Sequence, residues 1–179
     1  MPRLSKIGHV NFRVADQDRS KKFYTEVLGL KVAEEDPQHG GVFMTLGDDF
    51  HSVDVNDGRD GRRMGGNWKT GLVHVAFQVD RYEDLREAYV HLLEQGVEID
   101  HATNHVNQRS IYFKDPDGNG LEIYFEIPDA LHIFAGGRHD EDEPLPISKR
   151  GEPIPAWLLE DWPSPEALAE LTERYSVPA

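Results

Sequence analysis

Hydrophobic and polar residues alternate in two short segments of the chain that resemble each other. Residues 8–14 read GHVNFRV and residues 73–79 read VHVAFQV, with identical His, Val, Phe and Val positions. Alternation with a period of two is typical of a β-strand whose two faces meet different surroundings. The repetition predicts two copies of one structural unit.

A helical pattern and a run of short strands follow each copy. Acidic residues open each helical segment, apolar residues recur within it at helical spacing, and Gly29 or Gly96 ends it. Strands are then predicted at residues 31–35, 41–46 and 51–55 in the first unit and at 97–103, 110–114 and 121–125 in the second. The sequence Asp-Pro-Asp-Gly at 115–118 predicts a tight turn before the last strand. Each unit therefore has the order βαβββ.

These elements predict an α+β fold in which two βαβββ modules form a concave mixed or antiparallel sheet, with the helices on its outer face. The predicted boundaries are 1–126 for a single domain, 5–56 for module 1, 57–70 for a linker loop, 71–126 for module 2, and 127–179 for a C-terminal extension. The extension is rich in proline, and a short helix is predicted near 164–175, with serine as its N-cap. We interpret the extension as a strap that holds the fold together, with a role in substrate choice as the alternative.

The composition and net charge of the chain limit the kinds of partner that we expect it to bind. The 179 residues carry a formal net charge of -14, with 33 Asp and Glu against 19 Lys and Arg. This balance argues against nucleic acid or an anionic membrane surface as the main partner and favours a small molecule. The start of the chain shows no apolar leader, and no apolar run is long enough to span a bilayer, so we expect a cytoplasmic protein.

The absence of cysteine constrains the chemistry of any site. The chain has nine histidines and no cysteine. Thiolate nucleophiles, iron–sulfur clusters and cysteine-type zinc sites are therefore excluded. Any metal must be held by nitrogen and oxygen ligands.

Three candidate metal ligands lie on predicted strands, on the face opposite the apolar residues. In the two copied strands, His9 and His74 lie on the face opposite the shared apolar positions, and in the last predicted strand Glu122 lies opposite Leu121 and Ile123. Ionisable groups on a sheet face need solvent, partners or a metal. Two imidazoles and one carboxylate suit non-haem Fe(II), and also Mn(II), because they leave three positions of an octahedral ion open. A tetrahedral zinc site with the same ligands is the alternative.

A longer motif links these residues to a known family. Two βαβββ modules with His on the first strand of each and Glu on the last resemble the vicinal oxygen chelate superfamily. Within it, residues 103–122, TNHVNQRSIYFKDPDGNGLE, are similar to the signature of type I extradiol ring-cleavage dioxygenases. The resemblance covers residues 7–126 and is closest to the one-domain form of these enzymes.

The resemblance implies an Fe(II)-dependent enzyme that opens a catechol-type aromatic diol with O2 to a muconic semialdehyde-type product. It implies that His9, His74 and Glu122 hold the metal. The partners are then a small-molecule catecholic substrate and O2, and we expect a homo-oligomer.

The same resemblance assigns three further residues. It implies that His105 and Tyr112 contact the substrate and that His51 is the acid/base residue of the oxygen pocket. The alternatives are that His51 is an exposed histidine at a strand end and that His105 lies on the surface. We expect His101 only as a neighbour of the site.

Two other classes of function remain open. One is another metal-dependent enzyme of the superfamily, either a glyoxalase-like isomerase or lyase or a thiol transferase, which does not need the pair His105 and Tyr112. The other is a non-enzymatic ligand-binding module similar to bleomycin-resistance proteins, which does not need the ligand triad.

Overall fold

The computed structural model describes residues 9–36, 41–47, 52–56, 74–134 and 142–175. The chain divides into two compact units. Unit 1 comprises Met1–Gly71 and Asp115–Gly118, and unit 2 comprises Leu72–Lys114 and Asn119–Ala179. Within the described part of the chain, no helix is long and apolar enough to cross a membrane.

Unit 1 contains a four-stranded mixed sheet and one helix. Its strands are β1 (Val10–Arg13), β2 (Lys31–Asp36), β3 (Gly41–Thr45) and β4 (Val53–Asn56). The order in the sheet is β1-β4-β3-β2, with β1 parallel to β4 and the other pairs antiparallel. Helix α1 (Gln17–Lys22) continues into a π-helical segment, Phe23–Val27.

The helix of unit 1 begins where the acidic residues predict it. The Asp16 side chain accepts a hydrogen bond from the backbone N–H of Arg19, which caps the first turn. Tyr24 in the π-helical segment is fully buried, and its hydroxyl donates to Asp115. Burial and the charge of Asp115 raise the pKa of Tyr24 well above its usual value, so this phenol remains a donor.

The predicted turn between the last two strands packs within unit 1. One carboxylate oxygen of Asp117 accepts from the backbone N–H of Ala15 and from Arg19, and the other accepts from the Ser20 hydroxyl. Burial opposes ionisation of Asp117, but these hydrogen bonds hold its pKa below the usual value. Residues 115–118 thus belong structurally to the first module although the sequence places them in the second.

Unit 2 repeats the same topology and extends it. Its strands are β5 (Val75–Val79), β6 (Ile99–Asn104), β7 (Gln108–Lys114), β8 (Gly120–Glu126) and β9 (Glu143–Leu145). Its helices are α2 (Tyr82–Glu94), α3 (Ala130–Ile133) and α4 (Pro165–Tyr175), with a 3-10 turn at Ala156–Leu158. The order is β5-β8-β7-β6-β9, with β5 parallel to β8 and the other pairs antiparallel.

The predicted α+β class is confirmed, and in both sheets the first strand of the module lies beside its fourth. Strand ends agree with the prediction or differ from it by one or two residues. β6 starts at Ile99 rather than at residue 97, because the N–H of Val97 still bonds to Leu92 in the helix end. Gly96, with φ of 79°, makes that reversal at low conformational cost.

The core of unit 2 lies between α2 and the sheet. The buried side chains of α2 recur at helical spacing, so one stripe faces β5 and β8. They are Tyr82, Leu85, Tyr89, Leu92 and Leu93. The sheet presents its alternate apolar positions to them, including Leu121, Ile123 and Phe125 of β8.

The C-terminal extension packs on unit 2 around Arg109, a buried cation that the sequence pattern did not single out. The Arg109 guanidinium donates to the Tyr82 hydroxyl, to the carbonyl oxygen of Trp157 and to Glu160. It also lies 4.6 Å from the centre of the Trp162 ring, within the range of a cation–π interaction. This arrangement agrees with the interpretation of the extension as a strap.

Arg109→Ala should lower the free energy of unfolding by roughly 3 kcal/mol, because it leaves a cavity and buried acceptors without their donor. Arg81→Ala is the matched control, since its side chain is 65% exposed and its ion pair is with the exposed Glu83. It should cost no more than about 0.5 kcal/mol. Urea unfolding followed by circular dichroism measures both. Equal losses in the two variants would contradict the role of Arg109.

Candidate metal centre

The centre of the candidate site is Glu122 on β8. Its neighbours Leu121 and Ile123 point into the core, and alternation turns Glu122 to the other face of the sheet. The residue is nevertheless only 3% exposed. A buried carboxylate must be matched by donors or by a cation.

Three side chains surround that carboxylate. Nε2 of His74 lies 3.0 Å from one carboxylate oxygen, Oε2. The other oxygen, Oε1, accepts from the Tyr112 hydroxyl at 3.1 Å and from the Gln108 side-chain amide at 3.0 Å. Both oxygens of Glu122 are therefore engaged, and His74 and Glu122 lie together.

Strand pairing explains why these residues meet. Tyr112 is the direct partner of Glu122 in the antiparallel pair β7–β8, and Ala76 is its partner in the parallel pair β5–β8. His74 precedes Ala76 by two residues and so lies on the same face. Gln108 shares the Tyr112 face of β7 because it is four residues away along the strand.

Tyr112 is the second focus of the site. Its hydroxyl lies 2.7 Å from Nε2 of His105. The His101 ring stacks on the tyrosine ring, with ring centres 4.2 Å apart, and the His74 ring meets its edge. Burial, and then the charge of Glu122, raise the pKa of Tyr112 to about 12, so its hydroxyl carries a proton at neutral pH.

His105 lies in the turn between β6 and β7, and its side chain is 15% exposed rather than on the open surface. Nδ1 of His105 lies 2.8 Å from Oδ1 of Asp142, a close contact that is not aligned as a hydrogen bond. The next residue, Val106, has a φ of 71°, a conformation that a β-branched residue adopts only at a cost of about 1–3 kcal/mol. The packing around Val106 must therefore compensate for this cost and keep the turn in its conformation.

His9, the third predicted ligand, belongs to unit 1. It precedes β1, its side chain is 49% exposed, and its Nε2 lies 3.7 Å from Oδ2 of Asp54. Asp54 is 2% exposed and is the register partner of Asn11, just as Glu122 is the partner of Ala76. Each module thus carries a histidine beside a buried carboxylate at the same place in its sheet.

Some residues of the site were not predicted from the sequence. Asp54 could have been found from the repeat, because it holds the position of Glu122 in the first module. Gln108 could have been found from its alternation with Tyr112. No local pattern singles out Asp142, which lies 37 residues beyond His105. His51, the predicted acid/base residue, lies outside the described residues.

His74 and Glu122 fit a divalent metal by the chemistry of their donors. An imidazole nitrogen and a carboxylate oxygen 3.0 Å apart match two ligands at right angles on an octahedral ion, which are about 3.0 Å apart when each bond is about 2.1 Å. In the chain alone, the two side chains contact each other directly at this separation. Over residues 9–36, 41–47, 52–56, 74–134 and 142–175, no group of three or more His, Asp or Glu side chains is arranged to hold a metal ion.

The fold has counterparts among known proteins. Residues 6–123 match the family model described as the Glyoxalase/Bleomycin resistance protein/Dioxygenase superfamily. The chain belongs to this superfamily. Membership agrees with the expected vicinal oxygen chelate fold and with metal-dependent chemistry, without naming the metal.

Relatives within the superfamily have different activities. The chain is 26% identical to biphenyl-2,3-diol 1,2-dioxygenase 2 of Rhodococcus globerulus, over 96% of this chain and 100% of that protein. It is 28% identical to catechol-2,3-dioxygenase of Bacillus subtilis (strain 168), over 68% of this chain but only 42% of that protein. It is 27% identical to metallothiol transferase FosB of Shouchella clausii (strain KSM-K16), over 68% of this chain and 80% of that protein.

A solved superfamily structure shares the fold. The crystal structure of lactoylglutathione lyase from Agrobacterium tumefaciens aligns with a TM-score of 0.56 at 22% identity, over 68% of this chain and 94% of that one. At this identity the likeness concerns the fold alone. The named relatives are all enzymes, and they catalyse three different types of reaction.

Gln108→Leu should weaken binding of a divalent metal roughly 10-fold, because the amide that orients the Glu122 carboxylate is lost. Gln95→Leu, at the exposed end of α2, is the matched control and should bind as the wild type does. Anaerobic competition against a chromophoric chelator, with Fe(II) or Mn(II), measures both affinities. Unchanged affinity in Gln108→Leu would show that the carboxylate is not a ligand or needs no orientation.

Proposed function

We propose that this protein is an Fe(II)-dependent extradiol dioxygenase that cleaves a catechol-type diol. The observation that carries the proposal is the contact chain from His105 through Tyr112 and Glu122 to His74. All but His74 lie in the motif that resembles extradiol enzymes, and the fold brings the four together. The dioxygenase relatives support the same reaction class.

In this proposal His74 and Glu122 are two ligands of the iron and His9 is the third. Their nitrogen and oxygen donors suit Fe(II), and Mn(II) is the closest substitute. When bound, the metal would hold both oxygens of the diol together with O2 and carry electrons between them. The proton transfers are carried out by side chains of the protein.

The overall reaction balances without another reductant. The bond between one hydroxylated carbon and its neighbour without a hydroxyl group breaks, and the ring supplies the four electrons that reduce O2. Both oxygen atoms enter the product, which ends in a carboxylic acid at one side of the break and in an aldehyde, or a ketone where that carbon carries a substituent, at the other. The acid then ionises and releases a proton. During the reaction, one side chain must act as a base that accepts a proton from the diol, and a side chain must act as an acid that donates a proton back to it.

His105 and Tyr112 are suited to those proton transfers. Their side chains are 2.7 Å apart at Nε2 and the hydroxyl oxygen, so a proton can move between them. The raised pKa of Tyr112 keeps its hydroxyl protonated, and it can donate to a substrate oxygen. His51 remains our proposal for the acid/base residue that faces O2, as the family motif implies.

A second candidate, another metal-dependent enzyme of the superfamily, has support from the thiol transferase relative at 27% identity. That chemistry relies on the metal as an electrophile and has no need for a partly buried His–Tyr pair. The contact between His105 and Tyr112 therefore favours the dioxygenase.

The decisive assay mixes anaerobically prepared Fe(II) protein with catechol, 3-methylcatechol or 2,3-dihydroxybiphenyl and then admits air. We expect a yellow ring-fission product and O2 uptake in equal amounts. Two variants separate the roles: His9→Ala should lose iron, whereas Tyr112→Phe, which removes only one hydrogen bond to Glu122, should still bind iron supplied in excess and lose turnover at least about 100-fold. His91→Ala, on α2, is the control and should retain both.

Iron-loaded protein that consumes no O2 with any of the three diols would rule out the dioxygenase. Equal iron loss in His9→Ala and Tyr112→Phe would contradict the separate roles of ligand and proton donor.

A further inference from the structure

The turn that carries His105 is held by the C-terminal extension. Within the turn, the N–H of His105 donates to the carbonyl oxygen of Gln108, and the N–H of Val106 donates to the Asn104 side chain. The Val106 side chain packs on an apolar cluster built mostly from the extension. The cluster comprises Ile127, Ala130, Ile133 and Tyr175, with Phe134, Trp162, Leu168 and Leu171 packed against it. This packing offsets the unfavourable φ of Val106.

The extension also supplies the residue that meets the His105 ring. β9 pairs antiparallel with β6, with Glu143 opposite Asn104 and Pro144 opposite Thr103. Continuing this register by one residue sets Asp142 opposite His105. The side chains meet there, with Nδ1 of His105 2.8 Å from Oδ1 of Asp142.

A carboxylate beside Nδ1 determines where the ring carries its proton. A carboxylate oxygen only accepts, so the close contact favours a proton on Nδ1. Tyr112 has one hydroxyl proton, which it gives either to Nε2 of His105 or to Glu122. In the first case Nε2 of His105 is the acceptor, and in the second it is the donor. Nδ1 carries a proton in both.

We infer that the C-terminal extension positions the His105 ring, with Asp142 holding the proton on Nδ1 so that Nε2 faces Tyr112 as the proton-accepting atom. Asp142 is thus a positioning residue, and its catalytic importance rests on the proposed function of His105. The extension, which the sequence suggested only as a strap or a determinant of substrate choice, becomes part of the proton-transfer machinery.

The first test needs no activity. Full-length protein with 15N-labelled histidine, kept metal-free to remain diamagnetic, reports the tautomer of His105 through the ring nitrogen shifts. His105→Gln identifies the signals. We expect a protonated Nδ1 in the wild type, a shift toward the Nε2-protonated tautomer in Asp142→Asn, and recovery in Asp142→Glu. Glu143→Gln, which removes the neighbouring charge on β9, is the control and should leave the signals unchanged.

The second test uses iron-loaded protein. Asp142→Asn should keep its iron and lose kcat by up to about 100-fold with little change in KM, because the base is misoriented rather than removed. A wild-type ring protonated on Nε2 alone, or an Asp142→Asn variant with unchanged signals and unchanged kcat, would overturn the inference. If the wild type cleaves no diol and Asp142→Asn still shifts the tautomer, the proposed function fails and the positioning by Asp142 stands.

Discussion

A carboxylate enclosed within a sheet organises the candidate site. Glu122 lies on a strand between two others, so its neighbours on that face come from β5 and β7, and they supply His74, Tyr112 and Gln108. Removing a carboxylate from water costs several kcal/mol unless partners compensate for it. Each partner is then oriented by its own contacts, so the arrangement extends outward from Glu122 to His105 and Asp142. A preorganised set of this kind is what metal binding and proton transfer both require.

The repeat explains where such a carboxylate can arise. In each unit the first strand of the module pairs in parallel with the fourth, which sets a carboxylate beside the histidine that precedes the first strand. The second unit departs from the first by adding β9, α3 and α4. The additions contribute Asp142 and the packing under Val106, so the asymmetry between the modules coincides with the contacts that hold the turn of His105.

Much of the fold could be predicted from the sequence. Period-two alternation is a local signal of a strand, and the repeated segment indicates that the two modules share one topology. They predicted the βαβββ order of each module and the α4 cap at Ser164, but neither α3 nor β9 in the extension. Contacts that depend on tertiary pairing were missed. The turn at 115–118 packs with α1, far away in sequence, and the contact between Asp142 and His105 needs the β6–β9 register, which proline-rich sequence conceals. The buried cation Arg109 was missed because an arginine in a strand normally indicates an exposed position.

The most direct test of the central claim is anomalous diffraction at the iron edge from crystals of anaerobically Fe(II)-loaded protein. We expect an iron peak within bonding distance of Nε2 of His74 and of the Glu122 carboxylate, with His9 as a further ligand and Tyr112 and His105 beside the metal. Iron bound elsewhere, with His74 and Glu122 still paired directly, would contradict it.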